Sequence, residues 1–317
     1  MFKQNNETRV RSLTADKMSR PRRGGLARRE ERDFYIFTSP WWLGLILFVI
    51  GPMVASIVIS FTKWDIITPP KWVGFQNYVH MFKEDPLFWK SLRVTAVYTF
   101  VLVPVQLTLS MLVSILLNQK VRMLGLFRTI FYLPTVLPIV ASSLLWLWIL
   151  SPEGILNFFV GLLGIPPQNW LTSERLALPS IMLMSLWGSF GTSMIIFLAG
   201  LQGIPHSLYE AAEIDGSGAW GKFRHITLPM LSPVIFFNFV MGTIGTFQVF
   251  TQGYLLTDGR PNNATLFYVL YLYRNGFEYL RMGYASALAW VLFVIILAVT
   301  LLIIRSSTMW VYYEAQR

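Results

Sequence analysis

Two groups of residues combine types and spacings that could do chemistry. Asn238, Gly242, Gly245, Thr246, Gln252 and Gly253 recur at helical intervals with Gln248 beside them, and Ser185, Gly188, Ser189, Thr192 and Ser193 do the same with Trp187 nearby. Amide and hydroxyl groups hydrogen-bond sugar hydroxyls, an aromatic face covers a sugar ring, and small residues leave room for both. These groups offer reversible recognition of a polyhydroxylated solute, with Trp187, Ser189, Asn238, Thr246 and Gln248 as the candidate path-lining residues. Close packing of membrane helices through small residues accounts for the same pattern.

The second group is the run 202–233, QGIPHSLYEAAEIDGSGAWGKFRHITLPMLSP. Leu208, Ala211 and Ala212 fall on one small apolar face of a short helix, which Asp215-Gly216 stops with glycine at the left-handed cap position. Ser217 can then cap a second short helix whose Ala219, Phe223 and Ile226 share a face before Pro229 and Pro233. Two alanines let another protein's surface come close while Glu210, Glu213 and Asp215 offer charge to basic partners, which makes a docking knob. A loop that merely connects its neighbours is the plainer reading. The stretch from Gly216 to Lys222 also matches GxGxxG and nearly a P-loop, but Phe223 stands where Ser or Thr should meet magnesium. A helix rather than a strand precedes it, so nucleotide binding is not expected there.

Nothing in the chain supports bond-breaking chemistry. There is no cysteine, and His80, His206 and His225 are scattered without metal-ligand spacing. Neither catalytic residues, a metal nor a cofactor is expected in this chain.

The elements that must hold these residues are membrane spans. The 317 residues are 54% hydrophobic and only 13% charged, about half the charge of a soluble protein. Six windows are free of Asp, Glu, Lys and Arg: 34–62, 94–119, 129–152, 176–209, 225–257 and 282–304. Each exceeds the roughly 20 residues with which a helix crosses the hydrocarbon layer. The expected fold is an all-α polytopic membrane protein with spans near 41–61, 94–117, 130–150, 178–201, 233–256 and 285–304. The apolar stretches 155–165 and 264–273 are too short to cross and read as interfacial or extramembrane helices. No span core carries an ionisable group of the kind that ion-driven transporters use, so the engine is expected on a separate chain. A facilitator working alone, or an enzyme acting on lipid-linked sugars, is a rival; the docking loop speaks against the first and the missing acidic or histidine constellation against the second.

Residues 1–40 hold ten Lys or Arg against five acids. They read as a disordered basic tail on the cytoplasmic side, too long and polar for a cleaved signal peptide. The transmembrane domain then covers 41–304, including a cytoplasmic loop at 202–229, and 305–317 form a short cytoplasmic C-terminus. This orientation puts 17 Lys or Arg inside against 9 outside, a bias carried by the tail, without which the balance is 7 against 9. The net charge of +10 fits such a bias, with membrane lipid and not nucleic acid as the partner.

Glu210-Ala211-Ala212, Asp215-Gly216, Trp220, Phe223, Ile226, Leu228-Pro229 and Pro233 resemble the EAA motif of permease subunits of binding-protein-dependent ABC importers. The resemblance covers nearly the whole chain beyond the tail. Phe61 to Trp64, Val73-Gly74-Phe75, Asn77-Tyr78, the 197–205 segment, Pro261 to Thr265 and Gly283 to Ala287 resemble the carbohydrate-uptake branch, close to maltose-type and glycerol-phosphate-type permeases. Asp258-Gly259-Arg260-Pro261 departs from the expected Gly-Gly-Pro. The resemblance implies an importer for a sugar, oligosaccharide or sugar derivative in a bacterial inner membrane, both termini cytoplasmic. It also implies a second permease subunit, two ATPase subunits that hydrolyse the ATP, and an extracytoplasmic solute-binding protein. In that family the EAA helix seats in a cleft of an ATPase subunit, which implies coupling roles for Glu210, Ala211, Ala212, Asp215, Gly216, Phe223 and Pro229.

Overall fold

The computed structural model describes residues 25–119 and 122–312. The chain divides into two compact units, Met1–Ser56 and Ile57–Arg317. In the first, α1 (Gly25–Leu45) passes through a π turn at Ile46–Ile50 into α2 (Gly51–Ser60), whose last turn, from Ile57, belongs to the second. Residues 25–40, expected in a disordered tail, are thus helical, while residues 1–24 lie outside the described residues. The physical reason is propagation: once 41–60 is helical, each residue added upstream gains a hydrogen bond without a new nucleus, and LARREER is rich in good helix formers. Pro40 is tolerated inside α1 because the Ile36 carbonyl that it leaves free accepts from Ser39 Oγ at 2.9 Å.

After the end of α2 the second unit continues as a two-stranded hairpin, β1 (Thr62–Lys63) against β2 (Lys71–Trp72), in antiparallel register Thr62↔Trp72. The amphipathic helix α3 (Gln76–Lys83) follows. Then come α4 (Pro86–Leu117), α5 (Leu124–Val136), α6 (Ile139–Ile149), α7 (Ile155–Leu162) and α8 (Ala177–Gln202). The loop holds α9 (His206–Ile214) and α10 (Ala219–Lys222), and a π turn at Phe223–Thr227 joins α10 to α11 (Leu228–Phe247). Short helices α12 (Thr251–Leu256) and α13 (Tyr268–Tyr273) precede α14 (Met282–Trp310).

Five helical segments are long and apolar enough to cross a bilayer: Arg28–Ser60, Pro86–Leu117, Ala177–Gln202, Ala219–Phe247 and Met282–Trp310. The pair α5 and α6, bent by 99°, makes a sixth if it is one span. The fold is therefore all-α and polytopic as expected, but two spans are not the straight rods the hydropathy suggests. Near 130–150 the helix breaks at Leu137, whose extended backbone (φ −71°, ψ 133°) is what a residue before proline prefers, and Pro138 has no N–H to continue the ladder. Near 233–256 the long helix stops at Phe247 and resumes only as α12.

Packing differs between the two ends of the bundle. At the end where α4 begins, Phe88, Tyr98, Ile181, Phe267, Tyr268 and Leu288 belong to the large buried core. At the end near the loop the buried clusters are small, Leu117 with Met194 and Leu198, and Leu201 with Ile204 and Leu231. Among the described residues the most extensive helix–helix packing is between α4 and α8. Ser110 Oγ donates to Phe190 O at 2.9 Å across this pair, and Gln106 Nε2 reaches Ser193 Oγ at 3.2 Å. A Cβ on Gly191 would come within 2.6 Å of the Phe131 carbonyl oxygen, so only glycine lets α5 lie this close.

Candidate functional site

The loop is built by local rules. Asp215 caps α9, Gly216 takes φ +76°, Gly216 N–H donates to Glu213 O at 3.0 Å and Ser217 N–H to Ala212 O at 2.8 Å. That double closure is the Schellman pattern, and its left-handed residue is why glycine stands there. Lys222 Nζ grips Glu213 Oε1 at 2.5 Å and so ties the second short helix to the first. The same lysine holds the Glu213 carboxyl below its usual range. The pair is accordingly made at neutral pH and is lost as acid takes the pH down through that lowered value. Tyr209 OH meets Thr227 Oγ1 at 2.9 Å, and Tyr209 packs against the cluster of Leu201, Ile204 and Leu231.

What the loop presents is unusual for a connector. Glu210, Ala211 and Asp215 are exposed, Ala212, Phe223 and Pro229 half-buried, while Ile214 is 88% and Trp220 70% exposed. Charged and apolar side chains thus stand side by side on one short exposed element. Pro229 does not interrupt the helix. The π turn shifts the hydrogen-bond register just before it, Leu228 N–H donating to Phe223 O, so Ala219–Phe247 is one helical segment. The loop's second helix, expected to be separate from the fifth span, is its first turn.

At the far end of that segment lies a cavity of about 390 Å³. Its wall carries Tyr98 and Gln106 from α4, Ser185 and Ser189 from α8, Thr246 from α11, and Gln248, Phe250 and Gln252 from the irregular segment and α12. Ile139, the first residue after the break at Pro138, also lines it. Both helix breaks thus border this polar cavity. Backbone freed from a helix at membrane depth is tolerated where it borders a cavity, and broken helices of this kind frame solute sites. Of the five candidate path-lining residues, Ser189, Thr246 and Gln248 lie on this wall, as do Ser185, Gly242, Gly245 and Gln252 from the same two stripes of the sequence. Trp187 and Asn238 do not: Trp187 packs edge-on against Trp146 at 5.9 Å, and the buried Asn238 donates to Val234 O in its own helix at 2.9 Å. Tyr98 and Gln106 were absent from the sequence-based set. Their four-residue register with Leu102 on α4 was the available signal.

A polytopic helical protein whose broken spans border an uncharged polar cavity, with one helical segment running from it to an exposed two-helix loop, has the architecture of a solute permease. Residues 94–313 match the family model of the binding-protein-dependent transport system inner membrane component, and the chain belongs to this family. It is 41% identical over 293 residues to the probable ABC transporter permease protein YesP of Bacillus subtilis (strain 168), covering 91% of this chain and 94% of that one. It is 35% identical to the lactose transport system permease protein LacF of Rhizobium radiobacter over 90% and 97% of the two chains. The arabinooligosaccharides transport system permease protein AraP of Bacillus subtilis (strain 168) is 34% identical over 86% and 88%. A chain in the crystal structure of a bacterial ABC transporter involved in alginate import shares the fold, with TM-score 0.79 at 24% identity over 89% and 98% of the chains. The protein is therefore a multi-pass permease component of the inner membrane.

Proposed function

We propose that this chain forms half of the import path for a sugar or oligosaccharide, and that ATPase subunits drive it by docking on α9. The observation that carries this reading is the unbroken segment Ala219–Phe247. At 1.5 Å per residue it is a rod of roughly 40 Å, with the docking loop at one end and the Thr246–Gln248 wall at the other. In this reading Glu210 and Asp215 are the polar contacts to the ATPase, Ala211 and Ala212 the close-packed face, and Gly216 the turn that aims them. Phe223 and Pro229 sit at the junction through which a push on α9 reaches the rod. ATP-driven closure of two ATPase subunits then rocks the spans between inward- and outward-facing states.

A solute-binding protein delivers the sugar at the end of the bundle away from the loop. A second permease covers the open side of the cavity, and the loop and both termini face the cytoplasm. Ser189, Thr246 and Gln248, with Tyr98 and Gln106, meet the sugar. Support comes from the uncharged polar lining and from the names of relatives, which include lactose and arabinooligosaccharide permeases. The test is uptake of a panel of oligosaccharides, lactose and arabinotriose among them, by the complete importer in proteoliposomes supplied with ATP. Gly216→Val forces a β-branched residue into the left-handed region, and Glu210→Lys reverses the charge at the contact. Both variants should reach the membrane and lose uptake by about tenfold or more, the equivalent of about 1.4 kcal/mol. Wild-type uptake in both would remove the docking role.

A further inference from the structure

A second cavity, of about 660 Å³, lies where α4 and α8 begin, at the end of the bundle opposite the loop. It occupies the same faces of the same two helices as the span cavity. Its Val94 is four residues before Tyr98 on α4, and its Leu178 is seven residues before Ser185 on α8. Spacings of four and seven keep side chains on one side of a helix. The two spaces therefore open on the same side of α4 and of α8, one above the other, and the upper one differs from the lower in chemistry. Trp89, Lys90 and Arg93 stand on its wall, whereas the lower one holds no Asp, Glu, Lys, Arg or His.

The two cations are neighbours at a three-residue spacing on α4. Lys90 Nζ gives a hydrogen bond to the backbone oxygen of Asn262, a neutral acceptor that leaves its charge uncompensated. Arg93 is exposed and has no hydrogen bond or ion pair among the described residues. The acid on the wall, Glu174, makes no ion pair with either of them. A lysine and an arginine fork with a tryptophan face alongside make a receptor for a carboxylate carried on a sugar ring: the fork takes the two oxygens and the indole covers the ring.

We propose that this cavity is the outer mouth of the path and binds acidic sugars, Lys90 and Arg93 holding the carboxylate of a uronic acid residue before the sugar descends toward Tyr98. The proposal rests on the reading of the lower cavity as the sugar path. It assigns recognition of charge to a half-exposed station, where a cation can hold a carboxylate without the desolvation that burial in the span would impose on both. Glu174 opposes such binding and sets its strength.

The experiment is calorimetric titration of the complete importer, without its binding protein, in nanodiscs of phosphatidylcholine, with digalacturonate as ligand and cellobiose as the uncharged control. Digalacturonate should bind, more weakly in high salt, and the double variant Lys90→Gln/Arg93→Gln should weaken it by about tenfold or more. Lys90→Arg should keep the binding and Glu174→Gln should strengthen it, which guards against a double variant that merely misfolds. No digalacturonate binding, equal binding of cellobiose, or an unchanged affinity in the double variant overturns the proposal. So does a result in which these cations take up phosphatidylglycerol added to the nanodiscs and not the sugar acid. Failure of the underlying reading is seen separately: Gln248→Ala would then leave uptake of every sugar unchanged, whatever Lys90 and Arg93 do.

Discussion

Gln248 and Asn238 are amides on one apolar stretch whose surroundings give them different work. Asn238 is buried and spends its donor on the Val234 carbonyl one turn back, whereas Gln248 follows the end of α11 and is exposed at the cavity. Asn238→Leu should leave sugar uptake near wild type and change stability by about 1 kcal/mol, the usual size of one hydrogen bond in a membrane helix. Gln248→Ala should cut uptake by about tenfold while the complex melts as before, since an exposed side chain contributes little to packing. Uptake and melting of both variants, measured side by side, check the pair; loss of uptake in Asn238→Leu alone would reverse the assignment. The sequence made both residues look alike because helical spacing reports a face, not which neighbour fills it. The loop was more legible. Its glycine, its acids and its alanines follow local capping rules, so Asp215 and Gly216 could be placed before any packing was known.

At the scale of elements, charge-free windows located every span, because burial in lipid imposes composition directly. They located the ends less well. The second span begins at Pro86, eight residues before its window, because Asp85 caps it: Asp85 Oδ1 accepts from Leu87 N–H at 2.9 Å and Phe88 N–H at 3.2 Å. The other oxygen of this buried carboxylate accepts the hydroxyls of Tyr271, at 2.5 Å, and Tyr284, so one side chain joins α4, α13 and the start of α14. Burial, reinforced by donation to Asp85, keeps the Tyr271 phenol above its usual range, and it remains a donor at neutral pH. Asp85→Ala removes a cap and leaves two buried phenols without their acceptor. The expected loss is about 2–5 kcal/mol, read as a fall of several degrees in the melting temperature of the purified complex; an unchanged melting temperature would show that this junction carries no stability. The helix breaks were hidden for different reasons. Pro138 was visible, but a proline in a span either bends or breaks it according to its neighbours. The break after Phe247 has no proline at all, and the short helix beyond it packs so closely that a Cβ on Gly253 would overlap the ring of Phe267, a tertiary contact that no local pattern announces.

At the scale of the whole molecule, the proposed mechanism puts the loop in the cytoplasm and the cations of the upper cavity outside. The chain contains no cysteine, so single introduced thiols report on topology without a background. Cysteines at Asn5 and Ser217 should react with a membrane-impermeant maleimide only from the cytoplasmic side and one at Asn262 only from outside; reaction of position 217 from outside would invert the orientation of the entire path. In the same mechanism ATP energy enters through α9, and Ala211, exposed on that helix, is the place to test it. The most direct measurement is the rate of maleimide labelling of Ala211→Cys in the permease pair alone and in the complete complex with its ATPase subunits. Assembly with the ATPases should protect this thiol, slowing labelling by about tenfold or more, while Ser217→Cys at the edge of the contact is protected less. Equal rates for Ala211→Cys with and without the ATPases would contradict entry of the energy through α9.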